Sequence, residues 1–267
     1  MLPQALLGGI HEAMVRSDRH LIVTCLPDAK LTHEGFVPKI LRELAADGLL
    51  INYNAFIPPQ MIRLIETYRI PSIWINSKQE HDCIHPDDLG GAKLATQRLL
   101  QHGHRRIAYV DYNNTPGSSG NHYSAIDRWD GYADTMHAAG LVPHRIGSVA
   151  IARRGEMRDD LAAQLVGPDR PTALLCYSSK ESRTALHMAA LAGLEVPRDL
   201  SIIRFGAGPF DDLGMEFTVA MIPERQIGQQ AVSLLDLKVK APAAIQPAVA
   251  VPYSMHEGQT VFDVPLS

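Results

Sequence analysis

The side chain with the clearest chemical signature is Arg128, near the start of a predicted amphipathic helix in the run IDRWDGY (126–132). A guanidinium group can hold a carboxylate, a phosphate or sugar hydroxyls through a fixed fork of N–H donors. A solvated surface arginine is the competing interpretation, although the helix dipole slightly disfavours a cation in the first turn. We therefore expect Arg128 to anchor a small polar ligand, and its replacement by Ala to weaken binding without disturbing the fold.

Aromatic and small polar side chains follow several predicted strands. Ligands of open α/β sheets bind beyond the carboxyl ends of the strands, and aromatic walls with a few polar groups suit a small polar molecule. Any one aromatic residue could equally belong to the core, so the set carries more weight than its members. Besides Arg128, the residues expected to line the ligand site are Asn52, Tyr53, Asn76, Tyr112, Tyr177, Ser179 and Phe205. Further members of the wider set are Asn54, Trp74, Ser77, Tyr123, Trp129, Ser178 and Phe210.

Motifs for catalysis and for cofactor binding are missing from the sequence. No G-x-G-x-x-G follows a strand, and G-x-x-x-x-G-K-[ST], G-x-S-x-G and H-E-x-x-H do not occur. His81, Cys83 and His85 would share one face of a strand and could ligate zinc. A loop that leads into a helix, with Cys83 packed among apolar residues, is the favoured alternative. The sequence therefore predicts a protein that is not an enzyme and that holds no metal or cofactor.

Composition limits the class of protein further. Lys and Arg total 25 and Asp and Glu total 29, which gives a formal net charge of −4. Electrostatic, sequence-independent binding to nucleic acid is therefore not expected. No apolar run reaches the roughly 18 residues of a membrane span, and the first residues do not resemble a signal peptide. Three cysteines without a C-x-x-C pattern favour a reducing compartment. These features predict a soluble, cytoplasmic globular protein.

Short apolar runs alternate with stretches of helical period along the whole chain. Such alternation is typical of right-handed βαβ units in a parallel sheet whose strands are buried on both faces. Helical spacing of apolar residues predicts helices around 6–14, 40–44, 62–65, 92–99, 185–191 and 226–235. The predicted strands are 20–25, 48–52, 72–76, 106–111, 172–177, 200–205 and 248–251.

The strand–helix pattern occurs twice, on either side of a segment rich in turn residues at 112–121. We interpret this segment as a domain crossover or a ligand loop. The sequence opens on a helix, whereas a doubly wound sheet normally begins with a strand. We therefore expect the chain to be truncated and to lack one interior strand.

Several motifs, weak one by one, occur in an order and spacing that are specific together. With these motifs the sequence resembles the effector-binding region of the LacI/GalR family of bacterial transcription regulators, over nearly its whole length. The motifs are ADGLLI (46–51), DLGGAKLA (88–95), LLQHGHRRIAY (99–109), RWDGY (128–132), RPTALLC (170–176), GLEVPRDLSII (193–203), and PE (223–224) with IGQQA (227–231).

The resemblance implies the type I periplasmic-binding-protein fold, with two doubly wound α/β subdomains joined by three crossovers near 112–123, 222–223 and 252–254. The N-terminal subdomain would comprise 1–111 plus 224–251, and the C-terminal one 112–223 plus 252–267. It also implies a small-molecule effector in the cleft between two lobes, a homodimer, and a helix-turn-helix headpiece that binds operator DNA. That headpiece and the first strand would be missing from this chain.

Three positions depart from the pattern of the family. Ser179 and Gly206 stand where the family usually has acidic residues, and residues 85–86 (HP) occupy the place of an Asp or Asn. Fewer carboxylates would then oppose Arg128 and Arg204, which disfavours a plain sugar and favours an acidic, phosphorylated or more aromatic effector. A solute-binding protein of a transport system would share this fold and is the alternative function.

Overall fold

The computed structural model describes residues 2–53, 57–118, 120–147, 154–209 and 214–264. The chain forms two compact units, unit 1 (Met1–Pro86 and Pro223–Val251) and unit 2 (Asp87–Ile222 and Pro252–Ser267). The division after Pro86 differs from the one expected at residue 111. Residues 87–111 group with unit 2 because their helix packs on a helix of that unit and their strand pairs with strands of that unit.

Within these described residues, none of the helices is long and apolar enough to cross a membrane. The helices are α1 (Gln4–Arg16), α2 (Asp28–Leu31), α3 (Ile40–Glu43), α4 (Pro59–Thr67), α5 (Asp88–Gln101), α6 (Tyr123–Ala138), α7 (Arg154–Gln164), α8 (Ser179–Leu191) and α9 (Glu224–Lys240). The strands are β1 (Leu49–Asn52), β2 (Ser72–Ile75), β3 (Cys83–Pro86), β4 (Ile107–Val110), β5 (His144–Ile146), β6 (Ala173–Cys176), β7 (Ser201–Gly206), β8 (Thr218–Met221), β9 (Val249–Val251) and β10 (Ser254–His256).

Unit 1 contains a four-stranded parallel sheet in the order β1-β2-β3-β9. Successive side chains of a strand point to opposite faces, so β2 contributes to two cores. Ile73 and Ile75 pack in the core that α1 and α9 cover, whereas Trp74 packs in the core that includes residues of α3 and α4. Both cores are apolar, as the near-continuous apolar run of this strand predicted.

The strand predicted at residues 20–25 is wrong. No described strand pairs with this segment, and Ile22 and Val23 are 59% and 60% exposed. An apolar, β-branched run becomes a strand only when a neighbouring backbone satisfies its N–H and C=O groups, and that condition is not local to the sequence. β1 consequently forms an edge of its sheet.

Unit 2 contains a six-stranded sheet in the order β10-β8-β7-β6-β4-β5, parallel except for the β10–β8 pair. Two cores cover its faces, and β4 supplies Ala108 and Val110 to one and Ile107 and Tyr109 to the other. The predicted α/β class with parallel sheets is therefore confirmed. The other six predicted strands are confirmed as β1, β2, β4, β6, β7 and β9, whereas β3, β5, β8, β10 and the helices α2 and α7 were not predicted.

Helices α5 and α6 of unit 2 pack closely because Gly131 lies at their contact. A Cβ atom on Gly131 would lie 2.4 Å from the Leu89 carbonyl oxygen and 2.9 Å from the Ala92 Cβ atom. The side chain of Asp87 caps α5 by accepting the Gly90 N–H at 3.0 Å. This contact satisfies a backbone N–H group in the first turn of α5.

We expect Gly131→Ala to destabilise the protein by about 1–3 kcal/mol, because the added methyl group overpacks the helix contact. Gly8 is the matched control, since it also lies inside a helix but a Cβ atom there would meet no atom within 4 Å. Gly8→Ala should stabilise by up to about 1 kcal/mol through helix propensity alone. Urea unfolding measures the change in the free energy of unfolding for both variants. A change of the same sign in both would contradict the close contact of α5 and α6 at Gly131.

Candidate functional site

The candidate site lies at the carboxyl ends of the central strands of unit 2. The N–H of Tyr177, the first residue after β6, donates to the Val110 carbonyl oxygen at 2.9 Å, so the ends of β4 and β6 meet there. Gly206 ends the neighbouring strand β7. Parallel strands bring their carboxyl ends to one edge of the sheet, which is where open α/β sheets bind ligands.

Arg128 is the centre of this site and is only 7% exposed. Its Nε donates to Asp88 Oδ1 at 2.6 Å, its Nη1 to the Tyr177 carbonyl oxygen at 3.1 Å, and its Nη2 to Tyr253 Oη at 3.1 Å. The guanidinium carbon lies 4.8 Å from the ring centroid of Tyr177 and 4.5 Å from that of Phe205. The structure therefore brings together three of the predicted site residues, Arg128, Tyr177 and Phe205.

Asp88 supplies the negative charge that this buried arginine requires. It is 1% exposed, and its Oδ1 also accepts the Tyr253 hydroxyl at 2.6 Å. Burial alone would lower the pKa of Arg128, but Tyr253 and Asp88 outweigh it, and the pKa lies well above its ordinary value. Burial and the Asp88 carboxylate also raise the pKa of Tyr123. Arg128 is thus a charged group at neutral pH, balanced within the protein.

This geometry corrects one expectation about Arg128. Replacing it by Ala would leave the Asp88 carboxylate buried without its cation, so the fold would not stay undisturbed. The guanidinium carries five N–H donors, and the three bonds to Asp88, Tyr177 and Tyr253 use three of them. For the two other donors, the described residues show no hydrogen-bond partner.

A second arginine, Arg204 of β7, lies at the same edge of the sheet. Its Nη1 donates to Ser179 Oγ at 3.0 Å and its Nη2 to the Gly208 carbonyl oxygen at 2.7 Å. A Cβ atom on Gly206 would lie 2.2 Å from Arg204 Nη1. The glycine and the serine that replace acidic residues of the family pattern are therefore both in contact with the guanidinium of Arg204.

Tyr112 was expected in the same set, but the structure places it elsewhere in unit 2. It packs in the core on the opposite face from Phe205, and its hydroxyl donates to Asp160 Oδ2 at 2.8 Å. Burial and Asp160 raise its pKa. The preceding residue, Asp111, is fully buried and accepts Arg145 Nη2 at 3.1 Å. These contacts hold the start of the 112–121 segment to the sheet.

The remaining predicted residues, Asn52, Tyr53 and Asn76, belong to unit 1. Asn52 and Tyr53 line a cavity of about 370 Å³ beside β1. The Tyr53 hydroxyl donates to Asp28, and burial together with Asp28 raises the pKa of Tyr53 to about 12. Asn76 follows β2 with a φ of 55° and donates its N–H to the Ile84 carbonyl oxygen at 2.9 Å. The predicted residues Asn54 and Phe210 lie outside the described residues.

Sequence reasoning missed Asp88 and Tyr253 as site residues. Asp88 was considered only as the first residue of the DLGGAKLA motif, and Tyr253 fell in a predicted crossover. A signal for Asp88 was present, since an arginine on a helix face that packs in a core needs a buried anion. The residues next to Tyr253 in the sequence do not indicate a role in the site. Tyr253 reaches Arg128 only in the folded chain, since the two are 125 residues apart in the sequence.

The residues considered for zinc each have another partner. Cys83 Sγ donates to the Gln79 carbonyl oxygen, His81 Nδ1 contacts Asp82 Oδ2 at 3.0 Å, and His85 Nδ1 contacts the Pro86 carbonyl oxygen at 2.8 Å. Among the residues that the structure describes, no group of three or more His, Cys, Asp or Glu side chains is arranged to hold a metal ion.

Comparison with known proteins gives consistent matches. The family of periplasmic binding protein-like domains matches residues 96–261. The HTH-type transcriptional regulator GalR of Salmonella typhimurium is 34% identical over 128 residues, which cover 47% of this chain and 35% of that protein. The chain thus matches well under two thirds of the length of this regulator.

Solved structures share the fold over almost the whole chain. A putative LacI-family transcriptional regulator from Rhizobium etli has a TM-score of 0.76 at 21% identity, covering 97% of this chain and 93% of that one. A LacI-family regulator from Enterococcus faecium, solved with bound ribose, has a TM-score of 0.73 at 18% identity, covering 98% and 94%. At these identities the similarity establishes the fold.

A double-mutant cycle tests the buried ion pair. Arg128→Ala and Asp88→Asn should each destabilise by about 3–5 kcal/mol, because each leaves one buried charge without its partner. The loss in the free energy of unfolding of the double variant should be smaller, by at least about 2 kcal/mol, than the sum of the losses of the two single variants. The matched control is the exposed pair of Lys93 and Asp134, which joins the same two helices at 3.3 Å.

For the control pair we expect a coupling of at most about 1 kcal/mol, since solvent screens both charges. Urea unfolding of the six variants gives both coupling energies. If the stability losses of Arg128→Ala and Asp88→Asn add up to that of the double variant within about 0.5 kcal/mol, Arg128 and Asp88 do not depend on each other.

Proposed function

Because this chain belongs to the family of periplasmic-binding-protein-like domains, with LacI/GalR-type regulators as its relatives, we propose that it is the effector-sensing core of a bacterial transcriptional regulator. The observation that carries the proposal is the cluster around Arg128 at the carboxyl edge of the unit 2 sheet. A buried, charge-balanced guanidinium between two aromatic rings, with donors left over, is a preorganised site for a small polar molecule.

The effector is a sugar-like or anionic metabolite. Arg128 anchors it with its two remaining N–H groups, while Tyr177 and Phe205 provide aromatic surface. Arg204 adds a second guanidinium group at the same edge, in contact with Ser179 and Gly208. Ser179 and Gly206 stand where the family resemblance implies acidic residues, so an anionic effector would meet fewer carboxylates there. The ribose bound to the Enterococcus faecium regulator makes pentoses reasonable first probes.

The output is control of operator DNA through a DNA-binding headpiece, in keeping with the HTH-type transcriptional regulator GalR among the relatives. An effector changes DNA binding only through its different affinities for two arrangements of the regulator. We propose a homodimer, as is usual for regulators that read paired half-sites. Lobe closure over the ligand, which the family resemblance implies, stays a prediction.

A solute-binding protein of a transport system is the second candidate, because the same fold would serve it. The relatives named above are transcription regulators, which favours the sensing function. The same relatives favour a binding protein over an enzyme.

The charge of Arg204 can be tested with D-ribose and D-ribose 5-phosphate as probes. Ser179 is the first residue of α8, where an acidic side chain is favoured by the helix dipole, so Ser179→Asp should fold normally. Its carboxylate would add a negative charge beside the Arg204 guanidinium, which would repel a bound phosphate. We expect the affinity for the phosphate to fall by about tenfold or more, and that for ribose by less than about threefold.

The matched control is Ala190→Asp, which places the same charge at an exposed position of α8. It should leave both affinities within about twofold in isothermal titration calorimetry. Equal losses for ribose and its phosphate in Ser179→Asp, or native binding of ribose without any binding of the phosphate, would contradict an anionic effector.

A further inference from the structure

Unit 1 contains a cavity of about 630 Å³ at the end of its sheet where β2 begins. The end of α4, the first half of β2, the segment before β3 and the chain after α9 form its walls. A volume of this size is in the range that small-molecule sites occupy. None of the residues around Arg128 in unit 2 lines it, so it is separate from the effector site and does not rest on the proposed function.

The floor of the cavity contains a buried polar group. Ser72, the first residue of β2, is 2% exposed, and its hydroxyl has no hydrogen-bond partner among the described residues. Beside it, Trp74 is 5% exposed and presents an aromatic ring to the same cavity. Buried hydroxyl groups are normally hydrogen-bonded, so Ser72 is suited to bind a polar atom of a ligand that enters from above.

A buried ion pair holds the walls in place. Lys238 Nζ donates to Asp82 Oδ2 at 2.7 Å and to the Ala244 carbonyl oxygen at 2.8 Å. Asp82 Oδ1 in turn accepts the Gln246 N–H at 2.9 Å. Burial alone would raise the pKa of Asp82, but these hydrogen bonds, that from Lys238 foremost, hold it below its usual value. The chain after α9 is thereby tied to the segment before β3, so the cavity is formed before a ligand arrives.

The rim carries charges of both signs. Glu66, Arg69 and Glu80 are exposed and line the cavity. Within the described part of the chain, the structure records no ion pair or side-chain hydrogen bond for any of the three. The walls combine apolar side chains, Ile65 and Ile70 among them, with the Lys238–Asp82 pair, Gln79 and His81. The cavity thus joins a charged rim, apolar wall residues and the buried hydroxyl group of Ser72.

We propose that this cavity binds an aromatic α-amino acid with a polar atom on its ring. The carboxylate pairs with Arg69, and the ammonium group pairs with Glu66 or Glu80. The ring packs against Trp74 and the isoleucines, and its polar atom exchanges a hydrogen bond with Ser72. A neutral sugar would leave the three rim charges unused, and a fully apolar molecule would leave both the rim and Ser72 without partners.

The direct test uses L-tyrosine and L-phenylalanine as probes on the full chain. The sequence contains two tryptophans, so ¹⁵N-tryptophan labelling gives one indole N–H signal from Trp74 and one from Trp129, and Trp129→Phe assigns them. We expect L-tyrosine to shift the Trp74 signal saturably, with an affinity about tenfold higher than that of L-phenylalanine. N-acetyl-L-tyrosine, which lacks the ammonium charge, should bind at least about tenfold more weakly than L-tyrosine.

Variants locate the contacts. Arg69→Gln should lower the affinity for L-tyrosine by about tenfold. Arg63 is an exposed residue of α4 outside the cavity, so Arg63→Gln should change this affinity by less than about twofold. Ser72→Ala should remove the preference for L-tyrosine over L-phenylalanine without abolishing binding of either. A merely structural serine would not change this ratio.

Three results would overturn the proposal. One is the absence of a saturable shift of Trp74 with L-tyrosine up to about 5 mM, a range that covers even weak small-molecule affinities. Another is binding that Arg69→Gln and N-acetylation leave unchanged. The third is a response of Trp129 without one of Trp74. The first two outcomes would not bear on the effector site in unit 2, whose probes are pentoses, whereas the third would indicate that L-tyrosine binds in unit 2.

Discussion

The site in unit 2 depends on one interaction, the ion pair between Asp88 and Arg128. Both charges are almost completely buried, and a buried charge is tolerated only when a partner and further hydrogen bonds replace its water. The pair forms because Gly131 allows α5 and α6 to approach closely. The Tyr177 carbonyl oxygen and the Tyr253 hydroxyl then accept the other hydrogen bonds of the guanidinium. Arg128 thereby holds the end of β6 and the segment between β9 and β10 together.

This pairing balances the charge of the cation that the sequence singles out. Arg128 stays positively charged in the structure, and Asp88 is its buried counter-ion. A second guanidinium, that of Arg204, contacts Ser179 and the space that Gly206 leaves open. The two departures from the acidic pattern that the resemblance implies therefore both lie beside Arg204.

The predictable parts of the structure were those that a short window of sequence determines. β4 and β6 are buried on both faces, so their apolar runs identified them. Residues 20–25 have the same apolar character, but a strand also needs a partner that the local sequence does not supply. Asp88 was missed for a similar reason, since its partner lies 40 residues away on another helix.

The central claim is that a small molecule binds beside Arg128 and Arg204 at the carboxyl edge of the unit 2 sheet. The most direct measurement is a crystal structure of the protein after incubation with a bacterial metabolite extract and removal of unbound material. The account predicts density for one small polar or anionic molecule within hydrogen-bonding distance of at least one of these arginines. Density for a ligand bound in unit 2 that contacts neither arginine would contradict it.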